Sequence, residues 1–177
     1  VLLNQQLRIG KVYLMDEVKW LSNDEQVAWR SWLAVNAQLT ARMNRDLQAK
    51  NGLSLADYDV LVNLTDVPDR SLRMYELGDK LQWEKSRLSR QVMRMAARGL
   101  VERRECLDDR RGAYVDLTPA GLEAIEAAAP EHVKLIRRVM FDAFTPEEVA
   151  ALTKLYQGVL ERLEVKAPEV AADGSAA

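Results

Sequence analysis

With 177 residues, 48% of them hydrophobic, the chain has enough apolar mass for one globular domain, or for a domain with an appended helical part. Its single cysteine excludes an internal disulfide framework, and no apolar run approaches the roughly 18 residues of a membrane helix, so a cytoplasmic protein is the simplest expectation. The net charge of −2 argues by itself against a nucleic-acid partner, and only its distribution along the chain reverses that.

Residues 1–19 carry Arg8, Lys11, Asp16 and Glu17 and no long apolar run, so they read as neither signal peptide nor anchor. They are expected to form an N-terminal extension, with 1–14 playing no part in the fold. Ser22-Asn23-Asp24-Glu25 has the Ser-x-x-Glu spacing of a capping box and opens a helical stretch that runs to about Lys50 without Gly or Pro. At about 1.5 Å per residue that helix is about 40 Å long. Its apolar residues, among them Val27, Trp29, Trp32, Leu33, Val35, Leu39, Met43 and Leu47, spread over more than one stripe, so it should contact two surfaces. Asn51-Gly52 stops it. Ser54-x-x-Asp57 caps the next helix, which carries Tyr58, Val60, Leu61 and Leu64 before Pro68.

Met74, Leu77 and Leu81 then make a short apolar stripe, and Gln82-Trp83-Glu84 leaves room only for a turn. In the segment Lys85 to Arg98, Leu88, Val92 and Met95 recur at i, i+4 and i+7, while Arg87, Arg90, Arg94 and Arg98 occupy another face. Such a helix packs by one side and offers cations from the other, as the recognition helix of a helix-turn-helix does. Gly99 supplies a stop. Leu100 to Cys106 and Ala113 to Leu117 alternate as strands around a polar tip, Leu107-Asp108-Asp109-Arg110-Arg111-Gly112, which predicts a two-stranded hairpin or wing.

Thr118-Pro119 sets an N-cap and a proline at the first helical position, so a helix should follow to Phe144, with an interruption at Pro130. Thr145-Pro146-Glu147-Glu148 caps a last helix with Val149, Leu152, Leu155, Tyr156, Val159, Leu160 and Leu163 at helical spacing. Together with the first helix, these segments offer more apolar area than so small a body buries, which argues for a homodimer. Residues 164–177, with Pro168, Gly174 and several Ala, read as a disordered tail.

Charge is unevenly placed. Arg70 to Arg111 holds 12 Lys/Arg against 7 Asp/Glu, net +5, leaving 13 against 20, net −7, elsewhere. That asymmetry is an electrostatic footprint for a polyanion, and the competing reading is a solvated charged face.

Several pieces, in order and spacing, resemble the MarR-type transcriptional regulators. They are Met74-x-x-Leu77-x-x-x-Leu81, Ser86-Arg87-Leu88-Ser89, Gly99-Leu100-Val101-Glu102-Arg103, Asp109-Arg110-Arg111 and Leu117-Thr118-Pro119-Ala120-Gly121. The resemblance covers roughly 20–163. One departure is Glu84-Lys85 at the head of the recognition helix, in place of a small hydroxylated cap. The fold expected is mostly α with a small β-hairpin wing: a winged helix-turn-helix over 53–118, with 20–50 and 119–163 forming a helical dimerisation region. The function it implies is a ligand-responsive transcriptional regulator, most commonly a repressor.

A two-fold dimer would set two recognition helices in successive major grooves of an inverted-repeat operator. Lys85, Ser86, Arg87, Ser89, Arg90 and Arg94 are the candidates for the groove, and sequence alone does not divide base readers from phosphate contacts. At the wing tip Arg110 and Arg111 are candidates for the minor groove, with Asp109 holding the arginine in place. Relatives of this type release DNA when a small aromatic or phenolic ligand enters the cleft between dimer platform and reading head. Here Trp29, Trp32, Tyr58, Asp59 and Met74 are the candidates, against the simpler reading that they are plain core.

No cofactor or metal is expected: His132 is the only histidine, without companion ligands at metal spacing, and reads as a surface or interface residue. Cys106, on a wing strand, reads as a packed thiol. Glu147-Glu148 and Asp108-Asp109 are adjacent acids, but one pair caps a helix and the other sits at the wing tip. No phosphate loop or nucleophile pair accompanies them, so an enzyme is not expected. The rival from another class is a winged-helix protein-interaction module that does not read DNA sequence.

Overall fold

The computed structural model describes residues 18–105 and 112–163, and the chain divides into two compact units, Val1–Leu39 and Thr40–Ala177. In chain order the elements are α1 (Asn23–Asn51), α2 (Leu55–Thr65), β1 (Ser71–Arg73), α3 (Met74–Leu81) and α4 (Lys85–Ala97). Then come β2 (Val101–Glu105), β3 (Ala113–Leu117), α5 (Pro119–Ile136), a π-helical turn (Arg137–Phe141) and α6 (Pro146–Arg162). The expected fold class holds: the chain is mostly helical with one small antiparallel sheet. Among the described residues no helix is long and apolar enough to cross a membrane.

The described part of the first unit is the entry and first turns of α1. Its cap forms as the sequence requires, the Ser22 backbone N–H donating to Glu25 Oε2 at 2.7 Å and the Glu25 N–H to Ser22 Oγ at 3.2 Å. Val27, Trp29, Trp32, Leu33 and Val35 stand exposed here, and the two indoles stack with ring centroids 5.1 Å apart.

The second unit holds the core. Leu61 and Leu64 of α2, Leu77 of α3, Leu88, Val92 and Met95 of α4 and Val115 of β3 are fully buried against one another, each burial contributing about 2 kcal/mol of hydrophobic stabilisation. The stripes at i, i+4 and i+7 thus do what amphipathic spacing demands. Ser54, Thr118 and Thr145 cap α2, α5 and α6 by accepting from the backbone N–H three residues on. Gly99, at φ +74°, takes the left-handed turn that ends α4.

Three features depart from the sequence reading. The sheet has three strands, not two, in the order β1-β3-β2, with Leu72 opposite Val115 and Arg103 opposite the same residue on the other side. Pro130 does not interrupt α5, which continues to Ile136 with Ile125, Ala128 and Leu135 buried on both sides of it. Packing outweighs the one backbone bond that proline removes. The irregularity falls later, in the π turn, where the Asp142 N–H donates to the Arg137 carbonyl at 2.8 Å. The third feature is His132, expected at a surface or interface but half-buried within the chain itself, its ring 4.4 Å from that of Tyr58.

Candidate nucleic-acid interface

The candidate surface is built on α4. Leu88, Gln91, Val92 and Met95 face inward. On the opposite side Ser86, Ser89, Arg90, Met93 and Ala97, at i, i+3, i+4, i+7 and i+11, form a continuous exposed stripe. Helix α3 and a tight turn fix how that stripe is presented. Gln82 takes a left-handed conformation, φ 52°, and the Trp83 N–H donates to the Gly78 carbonyl at 2.9 Å, folding the chain back at once into α4. Glu84 caps α4 without a side-chain hydrogen bond, so the N–H groups of the first turn have no hydroxyl cap.

The four arginines that share a face by simple counting separate in three dimensions. Arg87, Arg94 and Arg98 lie along the flank that faces α2. The Arg87 guanidinium stacks 4.1 Å over the Trp83 ring and stands within electrostatic reach of Asp59. Arg98 forms an ion pair with Asp57 at 2.8 Å, and Arg94 donates to Gln91 Oε1. Among the described residues Arg90 makes no ion pair, and it projects from the middle of the exposed stripe. Lys85 and Ser86, also exposed, begin the helix beside it.

The sheet supplies the second part of the surface. Tyr114 of β3 lies between two guanidiniums, with Arg73 Cζ 5.2 Å and Arg104 Cζ 4.7 Å from its ring centre. Arg73 Nε donates to the Tyr114 hydroxyl at 3.1 Å. Arg104 makes two hydrogen bonds to Asp116, at 2.8 and 3.1 Å, and Asp116 also accepts from the Ser71 hydroxyl. Burial alone would raise the Asp116 carboxyl, but the bonds from Arg104 and Ser71 win and hold it below the usual carboxylate range. All three strands contribute to this ladder: Ser71 and Arg73 from β1, Arg104 from β2, and Tyr114 and Asp116 from β3. The wing-tip candidates Asp109, Arg110 and Arg111, and Cys106, lie outside the described residues.

The residues expected to line an effector cleft take different positions. Trp29 and Trp32 stack on each other in the first unit. In the second unit Tyr58 is buried against His132, and burial followed by the charge of Asp59 raises its hydroxyl pKa. Asp59 is half-buried; desolvation raises its carboxyl and Arg87 partly offsets that. Met74 lines a cavity of about 290 Å³ between α3, the turn and the root of β3, shared with Arg73, Trp83, Lys85 and Tyr114. Tyr58 and Asp59 do not line that cavity.

Comparison with known proteins gives this geometry a context. A MarR family model matches residues 51–112, the stretch from the end of α1 to the wing. The crystal structure of AbsC, a MarR family transcriptional regulator from Streptomyces coelicolor, is similar with a TM-score of 0.77 and 41% identity, over 82% of this chain and 98% of that one. The chain belongs to the MarR family of transcriptional regulators. Sco3205, a MarR family regulator from the same organism solved in complex with DNA, has a TM-score of 0.77 and 38% identity, over 81% of this chain and 94% of its own. The HTH-type transcriptional repressor YetL of Bacillus subtilis is 28% identical over 130 residues, 72% of this chain and 77% of YetL.

MarR-family proteins are transcriptional regulators and not enzymes, and the adjacent acids Glu147 and Glu148 belong here to the first turn of α6, where carboxylates suit the helix dipole. Within this MarR-family surface the sequence had pointed to the serines and arginines of α4. It did not single out Met93, 65% exposed on the same stripe, or the buried polar pair Asp57 and Gln91 behind it. A methionine at an outward position of an otherwise well-packed amphipathic helix was the available signal for the first. For the second it was a glutamine inside the apolar stripe.

Proposed function

We propose that this MarR-family protein is a homodimeric repressor that binds an inverted-repeat operator in double-stranded DNA and acts in the cytoplasm. The observation that carries the reading is the exposed stripe Ser86, Ser89, Arg90 and Met93, set opposite the fully buried stripe of α4 and presented by a tight turn. Hydroxyls and a guanidinium can read base edges, and a thioether can meet a thymine methyl, on a helix narrow enough to enter the major groove. Lys85, Arg87 and Arg94 flank the stripe and are suited to phosphates or base edges. In this reading Arg110 and Arg111, supported by Asp109, meet the adjacent minor groove.

Dimerisation is supported by apolar surface that one chain leaves uncovered. No residue of α6 is buried, and Leu155, Tyr156, Val159 and Leu163 are exposed together with Phe141, Phe144 and the apolar residues at the start of α1. A homodimer would cover such faces as the two halves of one core. That Sco3205 was solved in complex with DNA and that YetL is named a repressor support the DNA-binding and repressing parts. A response to a small aromatic or phenolic effector belongs to the same proposal. Quenching of tryptophan fluorescence on titration with phenols, with release of DNA, is the expected signature.

The test is fluorescence anisotropy on the intergenic DNA beside the protein's own gene and on a shuffled duplex of equal length, at two salt concentrations. Selective, salt-dependent binding with two subunits per duplex is expected. Equal binding to both duplexes, or none at low salt, would contradict the reading and favour a protein-interaction module.

A further inference from the structure

We propose that Asp57 is a positioning residue for DNA reading: acting through Gln91 and Arg98, it fixes the seat of α4 and the direction of the Arg94 guanidinium. This rests on the DNA-binding reading above and assigns a role to a residue outside the exposed surface.

Asp57 lies in the first turn of α2 and is 3% exposed. As a helix cap it needs only its reciprocal bonds with Ser54, the Ser54 N–H donating to Oδ2 at 2.8 Å and the Asp57 N–H to Ser54 Oγ at 3.0 Å. The carboxylate does more. Gln91 Nε2 donates to Oδ1 at 2.6 Å, and one terminal nitrogen of Arg98 donates to Oδ2 at 2.8 Å. The other terminal nitrogen of Arg98 donates to the Gly52 carbonyl, also at 2.8 Å. Gln91, itself 3% exposed, has its carbonyl oxygen turned outward to accept from Arg94. A single carboxylate therefore ties together the α1–α2 junction, the α2 cap, Gln91 of α4 and the Arg98 that follows its last residue, and through Gln91 it reaches Arg94.

Apolar packing alone would leave α4 partly free. Leu88, Val92 and Met95 form ridges that resist separation from the core but oppose a small rotation or slide only weakly, because contact area changes little with either. Gln91 and Arg98 are seven residues apart on one line of the helix, about 10 Å along its axis. Helical side chains lean toward the N-terminus, so the long Arg98 side chain reaches back to the carboxylate that Gln91 also meets. Two directional bonds on one line fix rotation and translation together. Gln91 then passes that constraint to Arg94, which is held at the edge of the exposed stripe and does not sample its many rotamers. An arginine oriented before it meets DNA loses less conformational freedom on binding. Burial alone would raise the Asp57 carboxyl, but the bonds from Ser54 and Arg98 hold it below the usual carboxylate range, so the hub stays charged at neutral pH.

The test uses the full chain, a duplex recovered from a random-sequence pool by the wild-type protein, and a shuffled duplex of the same composition. Asp57→Asn, with its oxygen in the place of Oδ2, can still accept from Ser54 and Arg98 but turns its NH2 toward the Gln91 amide nitrogen, which loses its acceptor. Gln91→Met keeps the volume and the Asp57–Arg98 pair and releases Arg94 alone. Both variants should fold, lose about tenfold in the ratio of selected to shuffled affinity, and keep the wild-type salt slope, because no phosphate contact is removed. Asp57→Asn should also speed amide hydrogen exchange across Lys85–Ala97, whereas Gln91→Met should leave the Arg98 anchor and a smaller increase. An unchanged affinity ratio in both variants would overturn the proposal. If the wild type shows no selectivity, the DNA-binding reading fails, and the exchange data still decide the positioning claim: unaltered α4 protection in Asp57→Asn ends it.

Discussion

Gly121→Ala tests how firmly the reading head is joined to α5. A Cβ added at Gly121 would lie 2.0 Å from the Leu100 carbonyl oxygen and 2.8 Å from Leu117 Cδ1, where ordinary contact begins at 3.4 Å. The first neighbour is backbone and cannot swing away, so α5 and the start of β2 must separate by roughly an ångström. The same seam is held by the Thr118 N–H donating to the Leu100 carbonyl at 3.4 Å and the Thr118 hydroxyl donating to the Gly99 carbonyl at 2.7 Å. Overpacking of this kind costs about 1–3 kcal/mol, and two stretched hydrogen bonds about 1 kcal/mol each. Alanine's better helix propensity returns about 1 kcal/mol. The net expectation is destabilisation of about 2–4 kcal/mol, a fall in Tm of about 5–15 °C for a chain of this size. Urea unfolding measures it, at fixed protein concentration because the stability of the proposed homodimer would depend on concentration. A midpoint shift worth less than about 0.5 kcal/mol would refute the reasoning.

Three further outcomes are expected. Arg90→Ala should weaken operator binding by about 1–3 kcal/mol and relax base preference, while Arg87→Ala, whose guanidinium is stacked on Trp83, should lose less; titration of variant operators distinguishes them, and the reverse order would move the reading centre to the α2 flank. If Met93 meets a thymine methyl, replacing operator thymines by uracil should weaken the wild type at one position and leave Met93→Ala unaffected there; equal losses in both proteins would exclude the contact. Burial lowers the His132 pKa from its ordinary 6.5, so the unfolded chain takes up protons first as pH falls. Its stabilising contribution is therefore full above pH 6.5 and is lost as the pH drops through the lowered folded value. His132→Phe, which keeps a ring against Tyr58, should flatten the stability profile in that window. Asp57, Asp116 and Glu131, the last held at about 2 by Lys134 and Lys50, lose their contributions only at more acid pH.

Local rules carried much of the fold into the sequence. Ser54, Thr118 and Thr145 announced helix starts because a hydroxyl at that position satisfies a backbone N–H that otherwise has no partner. Gly99 marked the end of α4 because few other residues take its backbone angle. What stayed hidden depends on partners distant in the chain. The three residues of β1 are too few to show alternation, and their strand character comes from pairing with Tyr114, Val115 and Asp116, some 40 residues on. Gln82 reaches a left-handed angle without being glycine, stabilised by its side-chain bond to the Asp79 carbonyl at 2.6 Å.

The recognition surface shows the same division. Counting by helical period separated the buried stripe Leu88, Val92 and Met95 from a cationic side of α4, and the serines were named beside it. It also grouped Arg87, Arg94 and Arg98 with Arg90, and only the acids of α2 separate them. Whether a charged side chain faces DNA or a neighbouring helix is decided by what stands opposite, and Asp57 and Asp59 are about 30 residues upstream in the chain.

Selection of duplexes from a random-sequence pool, by the wild type and by Arg90→Ala in parallel, tests the central claim most directly. The account predicts that the wild type recovers an inverted repeat with half-sites one helical turn apart, and that Arg90→Ala recovers the same spacing with one position in each half-site relaxed. A recovered pool without a repeat, or an identical consensus for both proteins, would contradict it.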